Sequence, residues 1–235
     1  MLKAVFFDLD GTLLPMDQDL FIKTYFGAIA KKMASHGYEP ESFVKAVWQG
    51  TMQMIKNNGE KTNEARFWES IVAIYGEDAL KDEAVLAEFY ETEFDKISSV
   101  CQLNERSREL IELLKSKGAR LILATNPVFP KIATQKRIKW AGLSPEDFEY
   151  ITTYENASYC KPNPAYYKEI LDAVGLEGSD CLMVGNDVGD DMVAKSLGMR
   201  VFLLTDCLIN SKNADISEYE KGGFDELFTY INSLI

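Results

Sequence analysis

Histidine is almost missing from this 235-residue chain, and cysteine is sparse. The one histidine, His36, stands just before Gly37 at a predicted helix end, where an imidazole can serve the terminal carbonyls. The four cysteines, at 101, 160, 181 and 207, form no Cys-x-x-Cys pair, so metal ribbons and dithiol redox centres are unsupported. Zinc hydrolase and Ser-His-Asp chemistries lose their ligands and bases for the same reason. A disulfide framework is not expected either, because a chain this long buries about 70% of its unfolded surface and needs no staple. Basic residues are outnumbered. Twenty-five Lys and Arg against 37 Asp and Glu give a net charge of −12, a field that repels polyanions and argues against nucleic acid as a partner. No apolar run approaches the ~18 residues of a membrane helix. The start, Met1 to Asp8, reaches a carboxylate too soon for a signal peptide. The expectation is a cytoplasmic protein with neither membrane nor nucleic acid as partner. Repeats, low-complexity tracts and Pro/Ser-rich linkers are also lacking.

What is present is an ordinary globular composition, 46% apolar and 26% charged, with a change of pattern along the chain. Ala4-Val5-Phe6-Phe7 is a short apolar run with the character of a buried strand. From Leu20 apolar residues recur at 22, 25, 26, 29 and 33, a helical stripe stopped by Gly37. Pro40 opens a second helix that ends by Asn57-Asn58-Gly59. Thr62 or Asn63 caps a third, carrying Phe67, Trp68, Ile71, Val72 and Tyr75. A fourth carries Leu86, Phe89, Tyr90 and Ile97. Residues 16–99 therefore read as an all-helical bundle inserted after the first strand. Its aromatics Phe21, Tyr25, Phe26, Trp48, Phe67 and Trp68 lie at helical spacing, which predicts bundle core rather than a substrate box.

Residues 1–15 and 100–235 read differently. Asn104 caps a helix carrying Leu110, Ile111, Leu113 and Leu114. A strand at 120–124 follows, then a helix ending before Gly142 and a strand at 150–152. Pro164 opens another helix, 181–184 is a strand, Asp191 to Leu197 a helix, and Arg200 to Leu204 a strand. Alternation with continuous apolar strands predicts an α/β, doubly wound, mostly parallel sheet covered on both faces. Such sheets place their sites beyond the carboxyl ends of the strands. There the sequence sets Asp8-Leu9-Asp10-Gly11-Thr12, Thr125-Asn126, Lys161 and Gly185-Asn186-Asp187, with Asp190 and Asp191 following. Singly, several have plain structural uses: a turn hydroxyl for Thr125, a solvated loop lysine for Lys161, helix N-terminal acids for Asp190 and Asp191. Two acids and a glycine ending a buried strand have little such use. Clustered carboxylates repel unless a cation is present, and oxygen-only ligands point to Mg2+.

Asp8-x-Asp10-Gly11-Thr12, then Thr125, Lys161 and Gly185-Asn186-Asp187-x-x-Asp190-Asp191, resembles the four ordered motifs of the haloacid dehalogenase superfamily. The insert sits where that superfamily carries its helical type-1 cap. The resemblance implies a Mg2+-dependent phosphatase acting on a small phosphorylated metabolite through an aspartyl-phosphate. Asp8 is the implied nucleophile and Asp10 the general acid and base, its main-chain carbonyl also facing the metal. Thr125 and the Asn126 amide would bind phosphoryl oxygens, and Lys161 would neutralise developing charge. Asp8, Asp10, Asp187 and Asp191 form the implied metal set. Counting back from Gly198 selects Asn186 and Asp190 in the fourth motif, whereas the Asp-x-x-x-Asp spacing selects Asp187 and Asp191. The second is preferred, because an Asn in place of a ligating carboxylate weakens Mg2+ binding, and the choice between Asp190 and Asp191 stays open. A dehalogenase has no use for an acid at position 10. A phosphomutase shares the same acids and is the alternative, with a catalytically silent fold of this kind, acting only in binding, as a third reading.

Overall fold

The computed structural model describes residues 2–234. β1 (Ala4–Phe7) is followed by four helices, α1 (Gln18–Ala34), α2 (Pro40–Ile55), α3 (Asn63–Tyr75) and α4 (Glu83–Thr92), with 3-10 turns at Glu77–Asp82 and Phe94–Val100. The chain then alternates: α5 (Glu105–Ser116), β2 (Arg120–Leu123), α6 (Lys131–Trp140), β3 (Tyr150–Ile151), α7 (Pro164–Val174), β4 (Cys181–Gly185), β5 (Arg200–Leu204), β6 (Glu220–Gly222) and α8 (Phe224–Leu234). Local chemistry sets the helix starts. The side chains of Asp17, Thr62, Asn104 and Asn163 accept from N–H groups of the first turns of α1, α3, α5 and α7. Pro40 and Pro164 occupy first-turn positions, where a missing N–H costs nothing.

All six strands are parallel, in the order β3-β2-β1-β4-β5-β6. β1 lies at the point where the order reverses, between β2 and β4, so the ends of these three strands surround one crevice. Their side chains alternate between two cores. Val5, Phe7, Leu121, Leu123, Leu182 and Val184 face α5, α6 and α8, while Ala4, Phe6, Ile122, Cys181 and Met183 face α7 and the turn at Met192–Leu197. Burial on both faces accounts for strands without a polar side.

The first of these cores does not stop at the sheet. It runs on through Phe21, Tyr25, Phe67, Phe89 and Phe94 of the helical segment. Phe94 stacks on Trp140 of α6 at 4.9 Å, and Tyr25 meets Phe129 edge-on at 5.1 Å. The segment expected to be a bundle with its own core thus shares one apolar cluster with the sheet. Its fourth helix is also shorter than expected. It ends at Thr92, and Ile97 lies in the 3-10 turn that follows, because Phe94 and Ile97 are both drawn into the shared core. The helix expected from Asp191 to Leu197 is a 3-10 turn, Met192–Leu197, closed by Gly198 in the left-handed region. Among the described residues no helix is long and apolar enough to cross a membrane.

Candidate active site

Asp8 follows β1 directly, and its N–H donates to the Val184 carbonyl, which extends the β1–β4 pairing by one residue. Its Oδ1 accepts from Lys161 Nζ at 2.8 Å, and the Thr12 hydroxyl lies 3.3 Å from its Oδ2. Gly11 has φ +82°, and a Cβ there would stand 2.4 Å from Asn186 Nδ2, so both the turn and the close approach exclude a side chain. Asn186 is buried and committed: its Oδ1 accepts from Thr12 at 3.0 Å and its Nδ2 donates to the Cys207 carbonyl at 2.7 Å. It locks the loop after β1 to the loops after β4 and β5.

Lys161, fully buried in the loop before α7, bridges two acids. Its Nζ lies 2.8 Å from Asp8 Oδ1 and 2.6 Å from Asp191 Oδ1. Burial alone would push this ammonium down, but Asp191 and then Asp8 outweigh it and hold it well above its usual range. Burial pushes the Asp191 carboxyl up to about 7, with Lys161 opposing and Asp8 adding. Asp191 Oδ2 accepts from the Asp187 N–H at 2.9 Å. Gly185 makes the room, since a Cβ there would sit 2.1 Å from that carboxylate.

Asp187 accepts at Oδ1 from the N–H groups of Gly189, 2.7 Å, and Asp190, 3.0 Å. Its Oδ2 takes no hydrogen bond from the described residues. Asp190 is pushed up to about 6, chiefly by burial, with Lys161 opposing and Asp187 and Asp8 adding. Thr125 is buried. Its carbonyl accepts from Thr152 and Tyr166, so the strand end is fixed, while its side chain lines the crevice. Asn126 Oδ1 accepts from the Lys161 N–H at 3.3 Å.

The structure thus brings Asp8, Asp10, Thr125, Asn126, Lys161, Asp187, Asp190 and Asp191 to one pocket of about 70 Å³. It does not turn the four acids of the expected metal set toward a common point. Among the described residues no three carboxylate, His or Cys side chains come together as a metal cage. Asp191 is spent on Lys161, and the Asp10 side chain on Arg137. What remains for a cation is Asp8, the free oxygen of Asp187 and the carboxylate of Asp190, which takes no hydrogen bond from the described residues. One or two carboxylates, with main-chain carbonyls and water completing the shell, suit Mg2+ better than any other common ion. The residues present fit it in that reduced form.

Arg137 escaped the sequence reading. It is fully buried on α6, its guanidinium 4.4 Å above the Phe129 ring, and it ion-pairs with Asp10 Oδ2. Burial pushes the Asp10 carboxyl up and Arg137 pulls it back. Asp10 Oδ1 is buried with no partner. One oxygen is clamped and the other is free to hold a proton and meet a ligand. The signal in the sequence was a charge at a helix position flanked by Ala133, Thr134 and Ile138, all buried.

Asp10 and Asn126 also line a second, larger cavity of about 350 Å³, between the helical segment and the sheet. All six aromatics expected as bundle core, Phe21, Tyr25, Phe26, Trp48, Phe67 and Trp68, line it, together with Tyr90, Phe129 and Tyr154. Phe21, Tyr25, Phe26, Phe67 and Trp68 are core on one side and cavity wall on the other, which corrects the either-or of the sequence reading. Trp48 is 49% exposed.

Comparison with known proteins agrees with this fold. A family model described as haloacid dehalogenase-like hydrolase matches residues 2–198. The chain is 27% identical over 208 residues to phosphoglycolate phosphatase 1 of Pseudomonas aeruginosa, covering 86% of this chain and 69% of that one. It is 26% identical over 227 residues to a glyceraldehyde 3-phosphate phosphatase of Methanothermobacter thermautotrophicus, covering 96% and 94%. In fold it is similar to a crystal structure of an HAD phosphatase from Thermococcus onnurineus, with a TM-score of 0.60, 20% identity and 98% of each chain covered.

Proposed function

The chain belongs to the haloacid dehalogenase-like hydrolases, and from that premise we propose that it is a Mg2+-dependent phosphatase cleaving a small phosphate monoester through an aspartyl-phosphate on Asp8. The observation that carries the reading is the division of labour between the two acids after β1. Asp8 is held by an ammonium and faces the small pocket, whereas Asp10 is clamped through one oxygen and keeps the other unpartnered. A nucleophile and a proton donor two residues apart are what a two-step phosphoryl transfer requires. The relatives named above as phosphatases are named for small phosphate monoesters, which supports the same class here.

In this mechanism the Thr125 hydroxyl and the Asn126 main-chain N–H bind the phosphoryl oxygens and Lys161 neutralises their charge. Asp8 attacks phosphorus, and the P–O bond to the leaving group breaks as the P–O bond to Asp8 forms. Asp10 gives its proton to the departing oxygen. It then takes a proton from the water that hydrolyses the aspartyl-phosphate, returning Asp8 and releasing phosphate. Asp191 holds Lys161 in place. Asp8, Asp187 and the main-chain carbonyl of Asp10 would hold Mg2+, which when bound offsets the charge of nucleophile and phosphate. The helical segment, residues 16–99, acts as the cap that screens substrates over a core of residues 1–15 and 100–235.

The test is release of an aryl alcohol from p-nitrophenyl phosphate. Activity is expected with Mg2+, none with excess chelator, recovery on adding Mg2+ back, and none for Asp8→Asn. Full activity in excess chelator, or in Asp8→Asn, overturns the reading.

A further inference from the structure

The larger cavity opens on the reacting centre. Asp10, Gln18 and Asn126 line both it and the small pocket that holds Asp8, Thr125 and Lys161. What lies in it is therefore the part of a substrate that departs with the oxygen Asp10 protonates. Its wall is mostly aromatic and aliphatic, and its rings brace one another at steep angles. Phe26 meets Trp48 at 6.1 Å, Phe67 meets Trp68 at 5.5 Å and Tyr25 meets Phe129 at 5.1 Å. Rings held by rings keep the space formed. The polar groups of the wall are mostly spoken for. The Tyr25 and Tyr90 hydroxyls bond each other at 2.8 Å, and the Thr51 hydroxyl donates to the Val47 carbonyl at 3.0 Å within α2. Glu155 caps α6, accepting from the Lys131 N–H at 2.8 and 3.1 Å. The open one is Trp68 Nε1, a donor beside Tyr154, which calls for a neutral acceptor rather than a charge.

Charge and size then select the occupant. Among the described residues that line the cavity there is no Lys, Arg or His, so a carboxylate in it would find no counter-charge. Its acids make no seat for a cation either: Arg137 pairs Asp10, Glu155 is spent on its cap, and Glu83 stands in solvent. At ~30 Å³ of liquid per water, a space of about 350 Å³ corresponds to on the order of ten waters. Water against an apolar wall has few partners, and an apolar group that displaces it gains affinity. Glycolate would displace only a few of those waters. We infer that this cavity seats an uncharged, apolar leaving group, so that the preferred substrate is the phosphate monoester of a hydrophobic, ring-bearing alcohol rather than of a hydroxy acid. This assignment rests on the phosphatase reading above for the reacting end of the molecule.

The experiment compares kcat/KM, with Mg2+ present, for ethyl, n-butyl, n-hexyl and 3-phenylpropyl phosphate and for phosphoglycolate. The first four are esters of primary alcohols of similar acidity, so the chemistry of departure is held nearly constant along the series. A rise of about fourfold per added methylene is expected until the cavity is filled, with 3-phenylpropyl phosphate about tenfold or more above phosphoglycolate. Thr51→Phe places a ring in the cavity from α2 and is expected to shrink the ratio of 3-phenylpropyl to ethyl phosphate several-fold. Because that ratio is taken within one preparation, loss of folded protein cancels. A flat alkyl series, or phosphoglycolate equal to or better than 3-phenylpropyl phosphate, overturns the proposal. A separate measurement isolates it from the phosphatase reading: fluorescence of the tryptophans, of which Trp48 and Trp68 line the cavity, titrated with 3-phenyl-1-propanol and with glycolate, neither of which carries phosphate. A saturable response to the phenyl alcohol alone, weakened in Thr51→Phe, is expected even if no ester were hydrolysed, in which case only the phosphatase reading falls. Fluorescence unmoved by 3-phenyl-1-propanol up to its solubility limit, moved equally by glycolate, or undiminished in Thr51→Phe overturns the cavity assignment, whatever the esters do.

Discussion

A carboxylic acid that must lose and regain a proton needs one oxygen fixed and the other at liberty, and Asp10 has that arrangement. Arg137 supplies the fixed end from α6, more than a hundred residues along the chain. Asp10→Asn is expected to slow phosphorylation of Asp8 by about 10²–10⁴-fold for alkyl esters, and far less for aryl esters whose oxygens depart unprotonated. Single-turnover phosphate transfer with leaving groups of graded pKa measures this, and equal loss for good and poor leaving groups would leave Asp10 no role as acid. The same substitution strands the buried guanidinium of Arg137 without its counter-charge. A stability loss of about 3 kcal/mol is expected beside the kinetic one. A thermal melt of the variant separates the two effects. Cys160 illustrates the opposite case. Burial holds its thiol up at about 12, so it stays protonated and unreactive despite its place beside the site.

The corner between α2 and α3 shows how the helical segment is fastened. Asn63, with no exposed surface, accepts from Asn57 Nδ2 at 2.9 Å. Its own Nδ2 stands 3.2 Å from the Pro127 carbonyl and 3.3 Å from that of Tyr159, while its N–H donates to the Ala157 carbonyl at 2.8 Å. One side chain thus ties the segment to the loops after β2 and β3. Asn63→Ala leaves several buried groups unpaired, for about 2–3 kcal/mol, and a chain of this size loses roughly 2–4 °C of Tm per kcal/mol. A calorimetric melt unchanged from wild type would remove Asn63 from this role. None of this was legible in the sequence, where Asn63 is simply a cap candidate. What was legible was anything fixed by neighbours in the chain: the caps at Thr62 and Asn104, the limits of β5, the start of α7 at Pro164. The acids at the strand ends could be placed in one crevice because parallel topology gathers strand ends. Their pairings could not, since Lys161 with Asp191 and Arg137 with Asp10 depend on which face each loop presents. The break after Thr92 has no glycine or proline to announce it. β6 and α8 went unread, although Phe224, Leu227, Phe228 and Ile231 of α8 carry the helical period plainly.

At the scale of the molecule the charge of −12 acts on the substrate before any contact is made. An anionic ester approaches against a negative field, and added salt shortens the reach of that field to about 10 Å at 0.1 M. Raising ionic strength with an inert monovalent salt at fixed Mg2+ is expected to lower KM for a net-anionic ester a few-fold, with kcat little changed. A KM that rises instead would show that local attraction at the site dominates. The order of the sheet has a different consequence, one that concerns how the protein is made. β1 precedes every other strand along the chain, yet it pairs on one side with β2 at residues 120–123 and on the other with β4 at 181–184. At ~5–20 residues per second, translation leaves Ala4-Val5-Phe6-Phe7 without either neighbour for on the order of ten seconds. The helices that come between can begin to form in that interval, but the crevice needs β4, and so the strand that leads into Asp8 emerges before both its partners and is completed late.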